Sequence, residues 1–183
     1  MRNLEAKFRL DDSRKARDRA VVIGYRQRSV LRQRDTFFGC ASGKLKLREE
    51  DGRAMLIHYG RRTAEGLQLS TYEIVEVVDP ENTRAILAAA LGVIAEVRKE
   101  RTLLVRANVR LHLDRVEKLG EFGEIEAVIP EGSDPGWSQA AVDELLAELQ
   151  IGRETLIGVS YFELAAQGAG GARVGAKARS GDL

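Results

Sequence analysis

The sequence predicts an α+β protein in which a closed antiparallel β-barrel of about eight strands surrounds a polar interior, with helices packed outside. Charged and apolar residues alternate along several strand-like segments, and helical patterns interrupt these segments. If the charged faces pointed to water, the apolar faces would pack on each other as a plain sandwich. The helices would then have little to cover, so the barrel is the better prediction.

The first segment shows the alternation most clearly. One side of an extended strand carries Asn3, Glu5, Lys7 and Arg9. The other side carries Leu4, Ala6, Phe8 and Leu10. A carboxylate two residues from an ammonium on one strand face can hold a divalent cation together with the phosphate that the cation neutralises.

The first half of the chain then alternates between strand and helix signals. Asp12 or Ser13 caps a helix that runs to Gly24, and Asp79-Pro80 starts a second helix that ends at Gly92. Asp51-Gly52 is a hairpin turn. The expected strands cover residues 29–38, 44–48, 54–61 and 69–78.

The second half repeats this style. Residues 93–101 and 102–107 read as two strands that meet in a tight turn, and residues 109–116 and 122–129 read as two more. After a loop at 130–136, Ser138 caps a helix, and one or two short helices follow within 153–164. The Gly/Ala-rich segment 165–183 is predicted to be a disordered tail, which leaves residues 1–164 as one domain.

Composition limits the class of protein. The chain has 183 residues with 29 Lys and Arg against 28 Asp and Glu, a balance that does not favour nucleic acid as a partner. The single cysteine, Cys40, excludes an internal disulfide and fits a reducing compartment. No signal peptide and no apolar run of about 20 residues is visible, so a cytoplasmic protein without a membrane partner is expected.

The charges of both signs inside the predicted barrel must compensate one another or bind ions. Carboxylates hold Mg²⁺ or Mn²⁺, while Arg and Lys side chains bind phosphate oxygens. A cavity with acidic and basic sectors therefore suits a polyphosphate bound with a metal ion.

The motifs resemble those of the CYTH family, the triphosphate tunnel metalloenzymes, over roughly residues 1–164, and the class IV adenylyl cyclase-like subgroup most of all. The strand NLEAKF keeps Glu5 and Lys7 of the family's E-x-E-x-K motif but has Asn3 in place of the first glutamate. The other matching stretches are RQRDTFF, GKLKLRE, LIHYGRR, Ser70 with Tyr72, Lys99 with Arg101, VRLHLDRVEKLGEFGEIE and SYFEL.

The resemblance implies an eight-stranded antiparallel tunnel and an enzyme that acts on a linear triphosphate with Mg²⁺ or Mn²⁺. Hydrolysis of a small triphosphate, such as tripolyphosphate or thiamine triphosphate, is the preferred activity. A class IV adenylyl cyclase that makes cyclic AMP from ATP and a non-catalytic polyphosphate-binding domain are the alternatives. The oligomeric state stays open, with a homodimer as one option.

The resemblance also assigns roles to individual residues. The expected metal ligands are Glu5, Glu124 and Glu126, with Asp114 as a further ligand or as a group that orients the phosphate side. The expected phosphate-binding residues are Lys46, Arg48, Arg61, Lys99, Arg101 and Arg110. Lys7 is expected to orient the attacking water with help from Tyr72, whereas His112 is expected to be structural and His58 to face outward. Asn3 leaves the number of metal ions open, because an amide is a poorer Mg²⁺ ligand than a carboxylate.

Overall fold

The computed structural model of the chain describes residues 2–64, 67–129 and 135–170. Its strands are β1 (Arg2–Leu10), β2 (Arg26–Phe38), β3 (Lys44–Glu50), β4 (Arg53–Ala64), β5 (Leu67–Glu76), β6 (Val93–Arg106), β7 (Val109–Val116) and β8 (Gly120–Ile129). Its helices are α1 (Ser13–Val22), α2 (Pro80–Leu91), α3 (Pro135–Glu148) and α4 (Tyr161–Gly170), with a short 3₁₀ turn at Arg153–Thr155.

The eight strands form a closed antiparallel barrel, which confirms the predicted fold class. Their order around the barrel is β1-β5-β4-β3-β2-β6-β7-β8, and β1 closes it by pairing with both β5 and β8. Because side chains alternate between the two faces of a strand, every second residue of each strand points into the barrel. The charged alternation in the sequence is thus the inner face.

The apolar faces point outward and are covered by helices, also as predicted. Helices α1 and α3 pack on the outer side of β1, β7 and β8. There Phe8, Leu111 and Ile125 lie against Val142 and Leu145, and all five are fully buried. A smaller cluster around Phe38 and Leu47 lies beneath α2. Among the described residues, no helix combines the length and the hydropathy needed to cross a bilayer.

The predicted helix starts are confirmed for α1 and α2 and wrong for α3. The Asp12 carboxylate accepts hydrogen bonds from the backbone N–H groups of Arg14 and Lys15 and so caps α1. The Asp79 carboxylate does the same for α2 through the Asn82 N–H. Helix α3 begins at Pro135 rather than after Ser138. Proline suits the first helical position because its fixed φ is helical and no N–H is needed there.

The prediction of two strands at 93–101 and 102–107 is wrong, since β6 is one continuous strand. It pairs with β2 from Val93 to Val105 and with β7 from Lys99 onward. The sequence Glu100-Arg101-Thr102 contains no glycine or proline that would favour a turn. Long-range pairing with β2 therefore carries the strand straight through.

The domain boundary expected at residue 164 is not marked by a break in structure. Helix α4 continues to Gly170, so residues 165–170 are helical and not part of an irregular tail. Alanine-rich sequence favours helix continuation, which explains the extension. The rest of the predicted tail and most of the predicted 130–136 loop lie outside the described residues.

The packing of Phe8 generates a stability prediction. A methyl group added at Gly123 of β8 would overlap the Phe8 ring, which is fully buried. Gly123→Ala should therefore lower the free energy of unfolding by roughly 1–3 kcal/mol, the usual cost of overpacking a core. Urea denaturation measures it. Gly60→Ala on β4 is the matched control, because the nearest atom to its added methyl, Thr71 Oγ1, is 3.8 Å away. Equal stability losses for the two variants would contradict the packing described here.

Candidate functional site

The barrel interior holds a cavity of about 310 Å³ whose wall is densely charged. Six basic side chains line it, namely Lys7, Lys46, Arg48, Lys99, Arg101 and Arg110. Five carboxylates line it as well, namely Glu5, Asp35, Glu50, Glu124 and Glu126. Seven of the residues that the sequence suggested for the site face this space. They are Glu5, Lys7, Lys46, Arg48, Arg110, Glu124 and Glu126.

Asp35 on β2 organises the first group of cations. Its two carboxylate oxygens accept hydrogen bonds from Arg48 Nε at 2.7 Å and Nη2 at 2.8 Å, and Lys46 Nζ donates to the same carboxylate at 3.1 Å. Burial alone would raise the pKa of Asp35, but Arg48 and Lys46 hold it well below its usual range. The carboxylate stays ionised and holds the Arg48 guanidinium in place through both hydrogen bonds.

Asp114 on β7 plays the same part for Arg101. Arg101 Nε and Nη2 each donate to Asp114 at 2.6 Å, and Nη2 also donates to Glu124 at 2.7 Å. Lys99 Nζ lies 3.8 Å from Asp114 and 3.9 Å from Asp35, so it joins the two groups. Burial and the nearby Arg101 charge lower the pKa of Lys99 well below the ordinary value.

The resulting network carries more positive than negative charge. Its cations are Lys7, Lys46, Arg48, Lys99 and Arg101, and its carboxylates are Asp35, Asp114 and Glu124. Five cations against three carboxylates leave a formal excess of two positive charges when Lys99 is protonated. Excess charge out of contact with water is costly, so this part of the cavity favours a bound anion.

Carboxylates gather on the side of the cavity formed by β1 and β8. Glu5 lies directly opposite Glu126 in the pairing of these strands, and Lys7 lies opposite Glu124. Tyr72 donates a hydrogen bond to Glu5, and the Asn3 side-chain amide donates one to Glu126. Two neighbouring carboxylates that point into one cavity repel each other unless a cation or a hydrogen-bond donor lies between them.

His112 belongs to this acidic side. Its Nε2 lies 3.0 Å from Glu126 Oε2, and Arg110 Nη1 donates to the same oxygen at 3.4 Å. Burial and the Arg101 charge lower the pKa of His112, while the hydrogen bond to Glu126 acts in the opposite direction. His112 thus orients Glu126, in keeping with the structural role expected from the sequence.

These oxygen donors fit a magnesium or manganese ion. Mg²⁺ is commonly held by one or two carboxylates together with phosphate oxygens of the substrate and not by a full protein cage. Glu5 and Glu126 are such a pair. Within the described residues, the buried Asn3 Oδ1 beside them accepts no hydrogen bond. Those residues contain no group of three His, Cys, Asp or Glu side chains already arranged around a common point.

The predicted roles of Arg61 and Asp114 have different outcomes. The Arg61 side chain lies outside the part of the chain whose side chains are described, so its assignment stays a prediction. Asp114 is fully buried behind Arg101 and also accepts a hydrogen bond from Tyr161 Oη at 2.9 Å. Of the two roles expected for Asp114, this geometry favours orientation of the phosphate side over metal ligation.

Several cavity residues were not predicted from the sequence. Asp35 and Gln33 alternate on β2, but polar residues on both sides of that strand obscured the pattern. Glu50 accepts a hydrogen bond from Gln33 across the β2–β3 pair. Ser160 and Tyr161 also line the cavity. They come from the SYFEL motif at the start of α4, in which no site residue was predicted.

Tyr161 and its neighbours enclose one part of the cavity. The ring packs edge-on against Phe122 with centroids 5.0 Å apart. It also lies 4.3 Å from Lys7 Nζ and 5.1 Å from Lys99 Nζ, within the range of cation–π attraction. Nearby, the Ile157 N–H donates to the carbonyl of Lys7 at 2.7 Å and ties the segment to β1.

A larger hollow of about 930 Å³ lies along the outer face of β2 and β6, but two arginines of its lining pair with a neighbouring surface carboxylate. Arg34 Nη2 lies 2.5 Å from Glu96, and Arg98 Nε lies 2.8 Å from the same carboxylate. These side chains are partly exposed, and surface pairs of this kind need no ligand. The interior cavity is therefore the candidate site.

Comparison with known proteins agrees with the fold and the motifs. The family model described as the CYTH domain matches residues 1–161. A Methanocaldococcus jannaschii protein named "putative adenylate cyclase" is 26% identical over 174 residues, which cover 90% of this chain and 98% of that protein.

Solved structures extend the likeness in fold. A protein from Pyrococcus horikoshii superposes with a TM-score of 0.80 at 23% identity, over 88% of this chain and 98% of that one. A Hippeastrum protein, described as a putative adenylyl cyclase with a dominant triphosphatase activity, superposes with a TM-score of 0.66 at 18% identity. That comparison covers 91% of this chain and 96% of the Hippeastrum chain.

The Asp35 network generates a prediction on stability and pH. Asp35→Asn removes the buried carboxylate that pairs with Arg48 and Lys46, and Lys99 keeps Asp114 alone, so the change should cost about 3 kcal/mol or more at pH 7. Because folding lowers the Asp35 pKa, the wild-type advantage is full above the unfolded value near 3.8 and shrinks as the pH falls below it. Urea unfolding at pH 7 and pH 3.5 measures both effects.

Glu96→Gln is the control, since this carboxylate pairs with Arg34 and Arg98 on the partly exposed outer face. Its cost should stay below about 1 kcal/mol. A cost for Asp35→Asn that is equally small, or that grows on acidification, would refute the network as described.

Proposed function

The chain belongs to the CYTH domain family, and we propose that it is a divalent-metal-dependent phosphohydrolase that cleaves a small linear triphosphate inside its barrel. The observation that carries this proposal is the excess of buried cations on one side of the cavity with paired carboxylates on the other. This distribution matches a polyphosphate chain and the metal ion that accompanies it.

The basic side supplies the phosphate clamp. Arg48 and Arg101 each present a guanidinium that a buried aspartate already holds in place, so little side-chain entropy is lost when phosphate oxygens bind. Lys46 and Lys99 add compact charges next to these forks. Because all four side chains are largely removed from water, their attraction for phosphate is stronger than on a surface.

The acidic side supplies the metal ligands. Glu5 and Glu126 would hold Mg²⁺ or Mn²⁺, and the cation would neutralise charge on the phosphate oxygens and lower the barrier to attack at phosphorus. The Tyr72 hydroxyl and the His112 ring hold these two carboxylates in their orientation through hydrogen bonds. Glu124 is engaged by Lys7 and Arg101 and sits between the two sides.

Lys7 is the residue that we assign to the attacking water. Its ammonium donates to Glu124 at 3.2 Å at the junction of the acidic and basic sides. A water that receives a hydrogen bond from Lys7 would sit beside the phosphate chain, aligned for in-line attack. Phosphoryl transfer of this type needs positioning and charge neutralisation and no covalent enzyme intermediate.

Adenylyl cyclisation is the second candidate, because a relative that is 26% identical carries the name of a putative adenylate cyclase. The same clamp would serve it, with the ribose 3′-hydroxyl in place of water and pyrophosphate as the leaving group. The triphosphatase activity stated for the Hippeastrum neighbour supports hydrolysis as the first choice.

Product analysis by phosphorus NMR separates these activities. The protein is incubated with Mg²⁺ or Mn²⁺ and with tripolyphosphate, thiamine triphosphate or ATP. Release of orthophosphate supports hydrolysis, whereas pyrophosphate together with cyclic AMP from ATP would establish the cyclase. Saturable binding without any product would overturn both and leave a polyphosphate-binding domain.

The carboxylate pair generates a prediction on metal dependence. Glu5→Gln removes one charged ligand and should raise the metal concentration for half-maximal rate at least about tenfold. Asn3→Glu adds a carboxylate beside the pair and should lower that concentration. Metal titration at saturating substrate measures both, with Glu100→Gln on the exposed outer face of β6 as the control. If all three variants titrate like the wild type, metal binding by Glu5 and its neighbours is refuted.

A further inference from the structure

The first turn of α4 brings an aromatic residue against the buried charges of the cavity. Tyr161 is 6% exposed and lies among the residues that line the cavity. Its hydroxyl donates a hydrogen bond to Asp114 Oδ2 at 2.9 Å, and Arg101 Nη2 donates to the same oxygen at 2.6 Å. Tyr161 therefore contacts the carboxylate that holds one arginine of the phosphate clamp.

The two buried aspartates of the cavity have matching sets of donors. Asp35 accepts two hydrogen bonds from an arginine fork and one from Lys46. Asp114 accepts two from Arg101 and one from Tyr161. A neutral hydroxyl thus donates to Asp114 where an ammonium donates to Asp35. It supplies a hydrogen bond without adding to the positive charge that this part of the cavity already carries in excess.

The Tyr161 hydroxyl keeps its proton and acts as a donor. Burial, together with the charges of Asp114 and Glu124, raises the pKa of Tyr161 well above its usual range. Lys99 Nζ lies 3.8 Å from Asp114 Oδ2, the oxygen to which the hydroxyl donates. Removal of the hydroxyl would let Lys99 approach that oxygen. A lysine drawn onto Asp114 would be withdrawn from a phosphate in the cavity.

The ring of Tyr161 contacts a second functional group. Its centroid lies 4.3 Å from Lys7 Nζ, within the range of cation–π attraction. The same ammonium donates a hydrogen bond to Glu124 Oε1 at 3.2 Å. The ring and the carboxylate together restrict the position of the group that we assign to the attacking water.

The start of α4 is fixed to the barrel, as a positioning role requires. Ser160 and Glu163 form a capping box, in which the Ser160 N–H donates to Glu163 Oε2 at 2.6 Å and the Glu163 N–H donates to Ser160 Oγ at 3.4 Å. Lys44 Nζ on β3 donates to Ser160 Oγ at 3.0 Å and lies 3.1 Å from the Glu163 carboxylate. These contacts hold Tyr161, the residue after Ser160, in a defined place.

We propose that Tyr161 is a positioning residue of this site, whose hydroxyl orients Arg101 through Asp114 and whose ring holds Lys7. This inference rests on the proposed function of the same cavity. Because Arg101 binds phosphate in both the ground state and the transition state, loss of the hydroxyl weakens binding. Because Lys7 acts on the attacking water, loss of the ring slows the chemical step.

Tyr161→Phe tests the hydroxyl, because it keeps the ring and removes one oxygen atom. Calorimetric titration of the full-length protein with tripolyphosphate, with EDTA present, gives a Kd without turnover. The Kd should rise about tenfold, the equivalent of one hydrogen bond to a charged group. Tyr25→Phe is the matched control. Tyr25 is 2% exposed with Arg106 4.9 Å from its ring, but it lies in the core outside the cavity.

A second background separates an indirect role from direct contact with phosphate. Arg101→Lys keeps the positive charge beside Asp114 but removes the guanidinium fork. If Tyr161 acts through Arg101, adding Tyr161→Phe to Arg101→Lys should change the Kd by less than about twofold. A further tenfold rise in that background would mean that the hydroxyl binds phosphate itself, and it would overturn the positioning role.

Steady-state kinetics with Mg²⁺ and tripolyphosphate separate the hydroxyl from the ring. Tyr161→Phe should raise KM about tenfold and change kcat by less than about twofold, because it removes binding and keeps the ring beside Lys7. Tyr161→Leu should also lower kcat, by about tenfold or more, since Lys7 loses its aromatic contact. Melting temperatures measure the stability that each variant loses. A purely structural role would lower the melting temperature without this split.

The outcomes distinguish this proposal from the one on which it rests. If the Kd responds to Tyr161→Phe as expected but no triphosphate yields product with Mg²⁺ or Mn²⁺, hydrolysis fails and the positioning role of the hydroxyl stands. If tripolyphosphate is hydrolysed but Tyr161→Phe binds it as tightly as Tyr25→Phe does, hydrolysis stands and that role is refuted. Equal kcat values for Tyr161→Phe and Tyr161→Leu would refute the role of the ring.

Discussion

Compensation of charge inside a closed barrel is the constraint on which the rest of the structure depends. The pleat of each strand forces alternate residues inward, and here those residues are charged. Asp35 and Asp114 compensate the buried positive charge. Asp35 pairs with Arg48, Asp114 pairs with Arg101, and Lys99 lies near both carboxylates. Loss of Asp35 would remove the carboxylate that pairs with Arg48, and loss of Asp114 would leave Arg101 with Glu124 as its remaining carboxylate. Removal of one partner from a buried ion pair costs several kcal/mol, on the order of 3–5.

The same constraint underlies our proposal that the interior binds a polyanion. The lowered pKa values of Lys99 and His112 arise from burial and from the neighbouring Arg101 charge. Both show that the interior resists further positive charge in the absence of an anion. A bound phosphate chain reverses that effect, since it favours protonation of the groups that it touches. Binding and protonation of the cavity are therefore expected to be linked.

The sequence was sufficient for the fold because alternation and turn chemistry agree along most of the chain. The Asp12 and Asp79 caps, the Asp51-Gly52 turn and the charged faces of β1, β3, β7 and β8 each carry a local physical signal. The sequence was insufficient where the structure depends on contacts between strands that are far apart in the chain. The continuity of β6 depends on β2, and the role of Asp35 depends on cations that come from β3 and β6. Neither partner strand is local in sequence.

The sequence motifs and the folded structure mark different residues of the cavity. Motif resemblance drew attention to charged residues, because these define the family's signatures. The apolar residues Leu31, Met55 and Ile74 also line the cavity but belong to no signature, and they fall on three separate strands that meet only in the folded barrel.

A crystal structure with tripolyphosphate and Mn²⁺ tests the central claim most directly, because anomalous scattering locates the metal independently of the phosphates. The account predicts phosphate groups within hydrogen-bond distance of Arg48 and Arg101 and a manganese peak between Glu5 and Glu126. Phosphate bound along the outer face of β2 and β6, or manganese away from both carboxylates, would contradict it.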